Sequence, residues 1–575
     1  MKNALEHRIK AAAVCWIGLC IVLAGGTPTF AAEPDAATVA KRKRLESFAM
    51  QHPGDAKRGA KIFRSETQTK CVTCHRVDGK GGVVGPDLSK IGGKFDRIHL
   101  IESLLEPSRQ IVEGYQTIKL RTLDGVVQSG VATEHASGRV TIVDQNAKSW
   151  DFQADEIDAM QPSAISTMPE GICDSLDEAS FCDLVAYLET LRTGSPTGFG
   201  AGTRGPIQLA DGFNIQTLAT GLSGAVAMEL LADGRILVAE QNGHVRVVKD
   251  GKLLDQPMLS LPVEFNWERG LIGLTVHPDF PAQPYLYVLY VTDQPFSNHV
   301  ISRFRVDGDR CDPASEQILL AGDDQSKMGG FKPSGHQGGG MHFGPDGCLY
   351  VGLGEQTAKT PAQQMDTLPG KILRLNADGS IPTDNPFLGQ TAGKYQSIWA
   401  IGCRNPFTFA FDSTSGMMLI NDVGGKFEEI NPGRPGANYG WPKMDHGPMS
   451  NPQQHSSSSA MFTGPIHWYP EASISGGDFA PATAGPLAGR YVFADFVHGW
   501  IRHIDPHASG SQQNHGMNQN LEPETLASGL RRPVDLRIDR QGNVFVLLRN
   551  AWVVDDKFAG GTGSLIRIGT DRQTK

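Results

Sequence analysis

Apolar positions follow helical spacing in only a few stretches of the chain. Residues 54–63 open one such stretch, ending in Ile62-Phe63. A second, around 96–106, spaces Ile98, Ile101, Leu104 and Leu105 on one side and stops before Pro107. A third aligns Phe181, Leu184, Val185, Leu188 and Leu191, so three helices are predicted. Between the second and third, residues 115–160 change to strict alternation. Thr117-Ile118-Lys119-Leu120-Arg121-Thr122, the turn pair Asp124-Gly125 and Val140-Thr141-Ile142-Val143 predict a small β insertion. Residues 50–192 thus read as one mainly α domain with a β insertion. Residues 193–207, dense in Gly, Pro, Ser and Thr, read as a linker.

From 208 to 575 the pattern is different: short strand-like runs alternate with glycine turns, and helical periodicity is almost absent. One unit recurs, as Asp233-Gly234-Arg235-Ile236-Leu237-Val238, Asp346-Gly347-Cys348-Leu349-Tyr350-Val351 and Gln541-Gly542-Asn543-Val544-Phe545-Val546. Each is a tight turn feeding an apolar strand, and such repetition suits the blades of an all-β propeller, with room for six. A β-sandwich is the alternative. The fold class is therefore multidomain, a mainly α unit followed by a six-bladed propeller. The 575-residue length agrees, being more than one core usually serves, and so does the count of 67 glycines.

Residues 1–32 carry Lys2, Arg8 and Lys10, then the apolar run Ala11–Ala24, then small residues at Ala31-Ala32. This is the form of a secretory signal peptide, and the run is shorter than the ~20 residues of a membrane span. A periplasmic or secreted protein with no retained span is expected. The net charge of −9 leaves no basic footprint for nucleic acid. Of nine cysteines, five lie beyond residue 100, and Cys173 and Cys182 are close enough in sequence to pair in an oxidising compartment.

Chemistry enters at Cys71-Val72-Thr73-Cys74-His75. Two thiols at this spacing can form thioethers to the vinyl groups of one porphyrin, with His75 as proximal iron ligand. Met168, in Ser166-Thr167-Met168-Pro169 just ahead of the last helix, is the candidate distal ligand. A zinc site would need a second Cys/His pair, and none stands nearby. The surrounding Gly85-Pro86-Asp87-Leu88, Glu106-Pro107-Ser108, Gly114-Tyr115-Gln116-Thr117 and Met168-Pro169-Glu170-Gly171 resemble the cytochrome c haem-binding domain of planctomycete and verrucomicrobial secreted proteins.

The second domain carries Glu268-Arg269-Gly270-Leu271-Ile272-Gly273-Leu274, His277-Pro278-Asp279-Phe280, His336-Gln337-Gly338-Gly339, Phe343-Gly344-Pro345-Asp346-Gly347, Gly370-Lys371-Ile372-Leu373-Arg374-Leu375, Arg404-Asn405-Pro406 and Asn438-Tyr439-Gly440-Trp441-Pro442. In that order they resemble the glucose/sorbosone dehydrogenase family. The resemblance implies a propeller with pyrroloquinoline quinone (PQQ) on its axis, calcium nearby, and oxidation of a sugar aldehyde or hemiacetal. By position it makes His336 the base, Glu355 the acid supporting it and Glu268 a substrate-facing residue. Arg404, Asn405 and Arg532 become PQQ anchors, since guanidinium groups bind carboxylates bidentately. Val423, Gly424 and Glu429 occupy the calcium position, where hard oxygen ligands are required. Three positions depart from the family pattern: Gly340 and Val534 stand where arginines are found, and the stretch around Val497 lacks a lysine. Two functions follow. One is a quinohaemoprotein sugar dehydrogenase whose attached haem c takes the electrons and passes them to a soluble or membrane cytochrome. The other, favoured by the departures, is a non-catalytic propeller binding glycan or protein beside an electron-transfer cytochrome.

Overall fold

The computed structural model describes residues 35–570 apart from 96, 109–110, 112–114, 135–138, 164, 192–206, 330–334, 446–461, 471, 509–519 and 550–559. The signal-peptide reading, nearly all of the linker and the side chain of Ile98 lie outside the described residues.

In the first domain three aspartates start three helices. Asp35 caps Ala36–Gln51 through Thr38 N (2.8 Å), Asp55 caps Ala56–Phe63 through Lys57 N (2.8 Å), and Asp177 caps Glu178–Thr190 through Ser180 N (2.7 Å). Together with Arg97–Leu105 they enclose one core, including Phe63, Leu100, Ile101, Phe181, Leu184 and Leu188. Ala56–Phe63 crosses Glu178–Thr190 at Gly59, where a Cβ would lie 1.9 Å from Asp183 O. Arg58 then clamps Asp183 through Nε (2.6 Å) and Nη2 (3.0 Å). Leu45 and Ala49 are buried in the same core, so the domain reaches further toward the N-terminus than residue 50.

The β insertion is a five-stranded antiparallel sheet ordered Ser149–Gln153, Arg139–Val143, Val127–Glu134, Thr117–Thr122, Ile157–Pro162. Its own small core is built on Leu120, Val140 and Ile142. Cys173 and Cys182 are both thiols and not a disulfide: Cys182 Sγ donates to His52 O (3.2 Å) and accepts from Arg97 Nη2 (3.3 Å).

The second domain is six antiparallel sheets. Their first strands are Ala225–Leu230, Leu271–Val276, Met341–Phe343, Pro406–Phe411, Ile474–Phe479 and Pro533–Ile538. Each of these packs on the first strand of the sheet before and after it, and Pro533–Ile538 returns to Ala225–Leu230. That closes a ring of six blades. The recurring turn-and-strand units form the second strands Ile236–Glu240, Leu349–Leu353 and Val544–Leu548. Phe213–Leu222, from the start of the domain, pairs with Gly563–Thr570 from its end and so completes the sixth blade.

Candidate functional site

The Cys71–Cys74 turn sets the two thiols one helical turn apart, and His75 leaves it with extended backbone. His75 Nδ1 donates to Pro86 O (2.9 Å), which leaves Nε2 as the metal-facing nitrogen. Gly85 allows this: a Cβ there would lie 2.5 Å from the imidazole Cε1. Burial holds the imidazole below its ordinary pKa, in the neutral form a metal ligand needs. Cys71, Cys74, His75, Leu100, Met168 and Leu184 line a common, mostly apolar cavity, part open to solvent. The Met168 turn is pinned by the other motifs. Ser166 N donates to Ser108 Oγ (3.2 Å), and Thr167 Oγ1 hydrogen-bonds Thr117 Oγ1 (2.7 Å). Thiols, neutral imidazole and thioether around one apolar cavity fit a haem.

The propeller site gathers from loops that join blades, which carry Glu268, His336, Arg404, Asn405 and Arg532, and from loops within blades, which carry Glu355 and Val423. His336, with φ 51°, places Nδ1 2.5 Å from Glu355 Oε1. Glu355 is fully buried whereas His336 keeps 14% of its side chain exposed, so the imidazole is the member of the pair that a ligand can reach. The other oxygen of Glu355 accepts from Lys359 N. Gly354 permits the approach: a Cβ there would sit 2.1 Å from His336 O and 2.7 Å from Asn405 Oδ1. Asn405 Oδ1 accepts from Gly338 N (2.9 Å), and Glu268 Oε2 accepts from Gln337 N (3.2 Å). Glu268, His336, Glu355 and Asn405 thus converge.

Arg404 lies over the Trp441 ring (5.3 Å) and donates from Nη1 to Val423 O (2.9 Å). Asp422 accepts from both Arg404 N (3.0 Å) and Asn405 N (2.6 Å). Burial, then the neighbouring Glu429, push Asp422 up to about 7, and Asp445 is raised by the same two causes. Glu429 Oε2 accepts from Asn431 Nδ2 (3.1 Å), and at Gly424 a Cβ would meet Phe427 O at 1.6 Å, which fixes a tight turn. Among the described residues no group of three or more His, Cys, Asp or Glu side chains is arranged to hold a metal, so a calcium here would depend on carbonyls such as those of Val423 and Gly424.

Arg532 joins from the sixth blade, with φ 48° and its guanidinium 5.7 Å from the Phe496 ring centre. Ten described non-glycine residues have positive φ, and six of them, Trp267, His336, Gln356, Thr357, Lys359 and Arg532, belong to these loops. Backbone held in such conformations collects at functional sites. Two buried polar atoms, Trp441 Nε1 and Gln356 Oε1, have no hydrogen-bond partner among the described residues. A polar, planar, anionic ligand such as a quinone would meet a donor, an acceptor and two guanidinium groups here, so the residues fit PQQ.

The three departures have local explanations. At Gly340 a Cβ would strike the Phe409 ring at 2.6 Å, so this backbone has no room for an arginine. Val497 and Val534 pack into one apolar cluster with Phe407 and Phe496. The motifs did not mark Gln241 and Arg549. Gln241 Nε2 donates to Trp267 O (2.5 Å) and Arg269 O (2.8 Å), gripping the backbone on both sides of Glu268. No sequence signal singles out either residue, because each reaches the site only through the closed ring.

A closed six-bladed propeller with a His–Glu pair and arginines at one mouth, preceded by a Cys-x-x-Cys-His domain, defines a cytochrome c joined to a quinoprotein-type propeller. The glucose/sorbosone dehydrogenase profile matches residues 222–550 and the cytochrome c profile residues 56–119; the chain belongs to the glucose/sorbosone dehydrogenase family. Aldose sugar dehydrogenase YliI of Escherichia coli K12 is 30% identical over 234 residues, 40% of this chain and 62% of that one. Quinoprotein glucose dehydrogenase B of Acinetobacter calcoaceticus is 34% identical over 241 residues, 37% and 47% of the two chains. The chain therefore spans less than two thirds of either relative. Among solved structures, an oxidoreductase (glucose dehydrogenase) of Thermus thermophilus superposes with TM-score 0.53 at 26% identity, covering 62% of this chain and all of that one. The PQQ-bound aldose sugar dehydrogenase of Streptomyces coelicolor superposes with TM-score 0.51 at 22% identity, over 63% of this chain and all of its own, and supports the fold. Among the described residues no helix is long and apolar enough to cross a membrane.

Proposed function

We propose that the propeller oxidises an aldose or related hemiacetal at a PQQ site and that the haem c on Cys71 and Cys74, ligated by His75 and Met168, takes the electrons one at a time. The observation that carries this reading is the His336–Glu355 pair set beside Asn405 and Arg404 in a chain that also holds a haem attachment motif. Bound PQQ supplies a two-electron acceptor. The protein's residues do the rest. With Nδ1–H donating to Glu355, His336 keeps Nε2 free to take the proton of a sugar hydroxyl, and the buried carboxylate steadies the imidazolium that forms. Arg404, Asn405 and Arg532 anchor PQQ carboxylates, while Glu268 faces the sugar. Calcium would be held by the carbonyl of Gly424 with Glu429, and by that of Val423 once Arg404 releases it, where mutual repulsion among buried carboxylates favours a cation. Each sugar yields two electrons and the haem accepts one, so the haem must discharge twice per turnover, to a soluble or membrane cytochrome. Fusion keeps donor and acceptor at high effective concentration. An export signal in residues 1–32 would send the protein to the periplasm.

The apolar setting of Val497 and Val534 favours a second reading, a propeller that binds glycan or protein without oxidising it. One experiment separates the two: titrate haem-loaded protein with PQQ and calcium, add a panel of aldoses, and follow the ferrous haem bands. Haem reduction that needs both PQQ and sugar, and that is lost in His336→Ala, supports the dehydrogenase. Absence of PQQ binding supports the second reading.

A further inference from the structure

Two of the basic positions expected of this site carry valine, yet one arginine no motif marked lies at the same mouth. Arg549 directly follows the strand Val544–Leu548 of the sixth blade and is buried. Its backbone N donates to Arg532 O (3.0 Å), which sets the two arginines side by side in the chain trace. Its Nη2 donates to Gln241 Oε1 (2.5 Å), and Gln241 in turn grips the carbonyls flanking Glu268. Glu268 accepts from the amide of Gln337, the neighbour of His336. Arg549 is thus tied by hydrogen bonds into the loops that carry the base.

Burying a guanidinium close to another is costly unless an anion joins them. Burial and the charge of Arg532 both work against Arg549, and Glu268 acts in its favour. A neutral amide would satisfy Gln241 as a hydrogen-bond donor without that cost. A second guanidinium beside Arg532, with Gln241 fixing its orientation, is shaped for a bidentate hold on a carboxylate.

We infer that Arg549 is an anion-binding residue of the propeller site, supplying with Arg532 the paired guanidinium that Val534 lacks, and that its ligand is a carboxylate of the quinone cofactor. The inference rests on the proposed PQQ-dependent function and deepens it. The test is PQQ affinity in the presence of calcium, read from quenching of tryptophan fluorescence in haem-loaded wild type, Arg549→Gln and Arg549→Lys. Thermal melting of each variant reports folding. Arg549→Gln is expected to weaken PQQ binding about 10- to 100-fold, the span of a lost charge-assisted pair. Arg549→Lys should weaken it several-fold, because the planar fork is gone. If Arg549→Gln fails to fold, Arg549→Lys decides alone: weakened binding supports the role and undiminished binding overturns it. Undiminished PQQ affinity in Arg549→Gln, with or without a raised KM for sugar, would reduce Arg549 to positioning Glu268 and overturn the inference while the proposed function stands. Failure of wild type to bind PQQ overturns both.

Discussion

Glu355 is fully buried and spends both oxygens, one on His336 and one on the amide of Lys359. On the proposed function, Glu355→Gln leaves the site's shape in place but removes the charge that stabilises a protonated His336. The expected result in steady-state assays with an artificial acceptor is a fall in kcat of about 10²- to 10⁴-fold with KM little changed. In the haem domain the residue to probe is Gly85, which presses its backbone on the His75 ring. Gly85→Ala must displace that ring or break its bond to Pro86 O, and the expected outcome is reduced haem incorporation with a disturbed absorbance spectrum, read by pyridine haemochrome assay. At the residue scale, the sequence made proximity legible where a motif encodes a contact. His336, Glu355 and Asn405 fall together because Gly338 and Gly354 let their loops touch. It was blind to Gln241 and Arg549, whose neighbours come from other blades. Gly340 reads in sequence as a lost arginine, and in the fold it faces a phenylalanine ring.

At the scale of elements, periodicity located helices with sizeable apolar faces and missed Ala36–Gln51. That helix buries only Leu45 and Ala49 and is otherwise rich in charge, including Lys41-Arg42-Lys43-Arg44, so no apolar stripe announces it. Blade strands were legible because a glycine turn precedes each of the three recurring units. The crossing of Ala56–Phe63 with Glu178–Thr190 rests on the absence of a side chain at Gly59. Gly59→Val must separate the two helices and loosen the Arg58–Asp183 clamp. A loss of about 1–3 kcal/mol, the usual cost of overpacking, is expected in denaturant unfolding of the haem domain followed at the haem band.

At the scale of the whole molecule, the ring is lined on its axis by charge. Asp535 is wholly buried on the sixth inner strand among Arg537, Asp478, Glu229 and His342, with its carboxylate accepting from Met228 N (2.8 Å) and Arg537 Nη1 (3.2 Å). Burial dominates and lifts its pKa to about 6. A carboxyl that protonates more readily when folded than when unfolded contributes stability at low pH and loses it as pH climbs from about 4 to 6. In Asp535→Asn that dependence vanishes. The stability difference between variant and wild type is expected to move in the variant's favour by on the order of 2–3 kcal/mol between pH 4 and pH 7, measured by urea unfolding at both.

The sixth blade carries a consequence for how the protein comes into being. Its outer strand, Phe213–Leu222, is among the first parts of the propeller to be synthesised, and its partner, Gly563–Thr570, is among the last. The strand must wait for almost the whole domain to emerge before it can pair, a long-range closure that is slow by its nature. Among the described residues, those that line the haem cavity, Phe63 to Leu188, all lie upstream of it. Synthesis therefore has a direction: the residues of the haem cavity all exist before the ring can close, and the loops carrying His336 and Arg532 belong to a complete ring only once the last strand has paired.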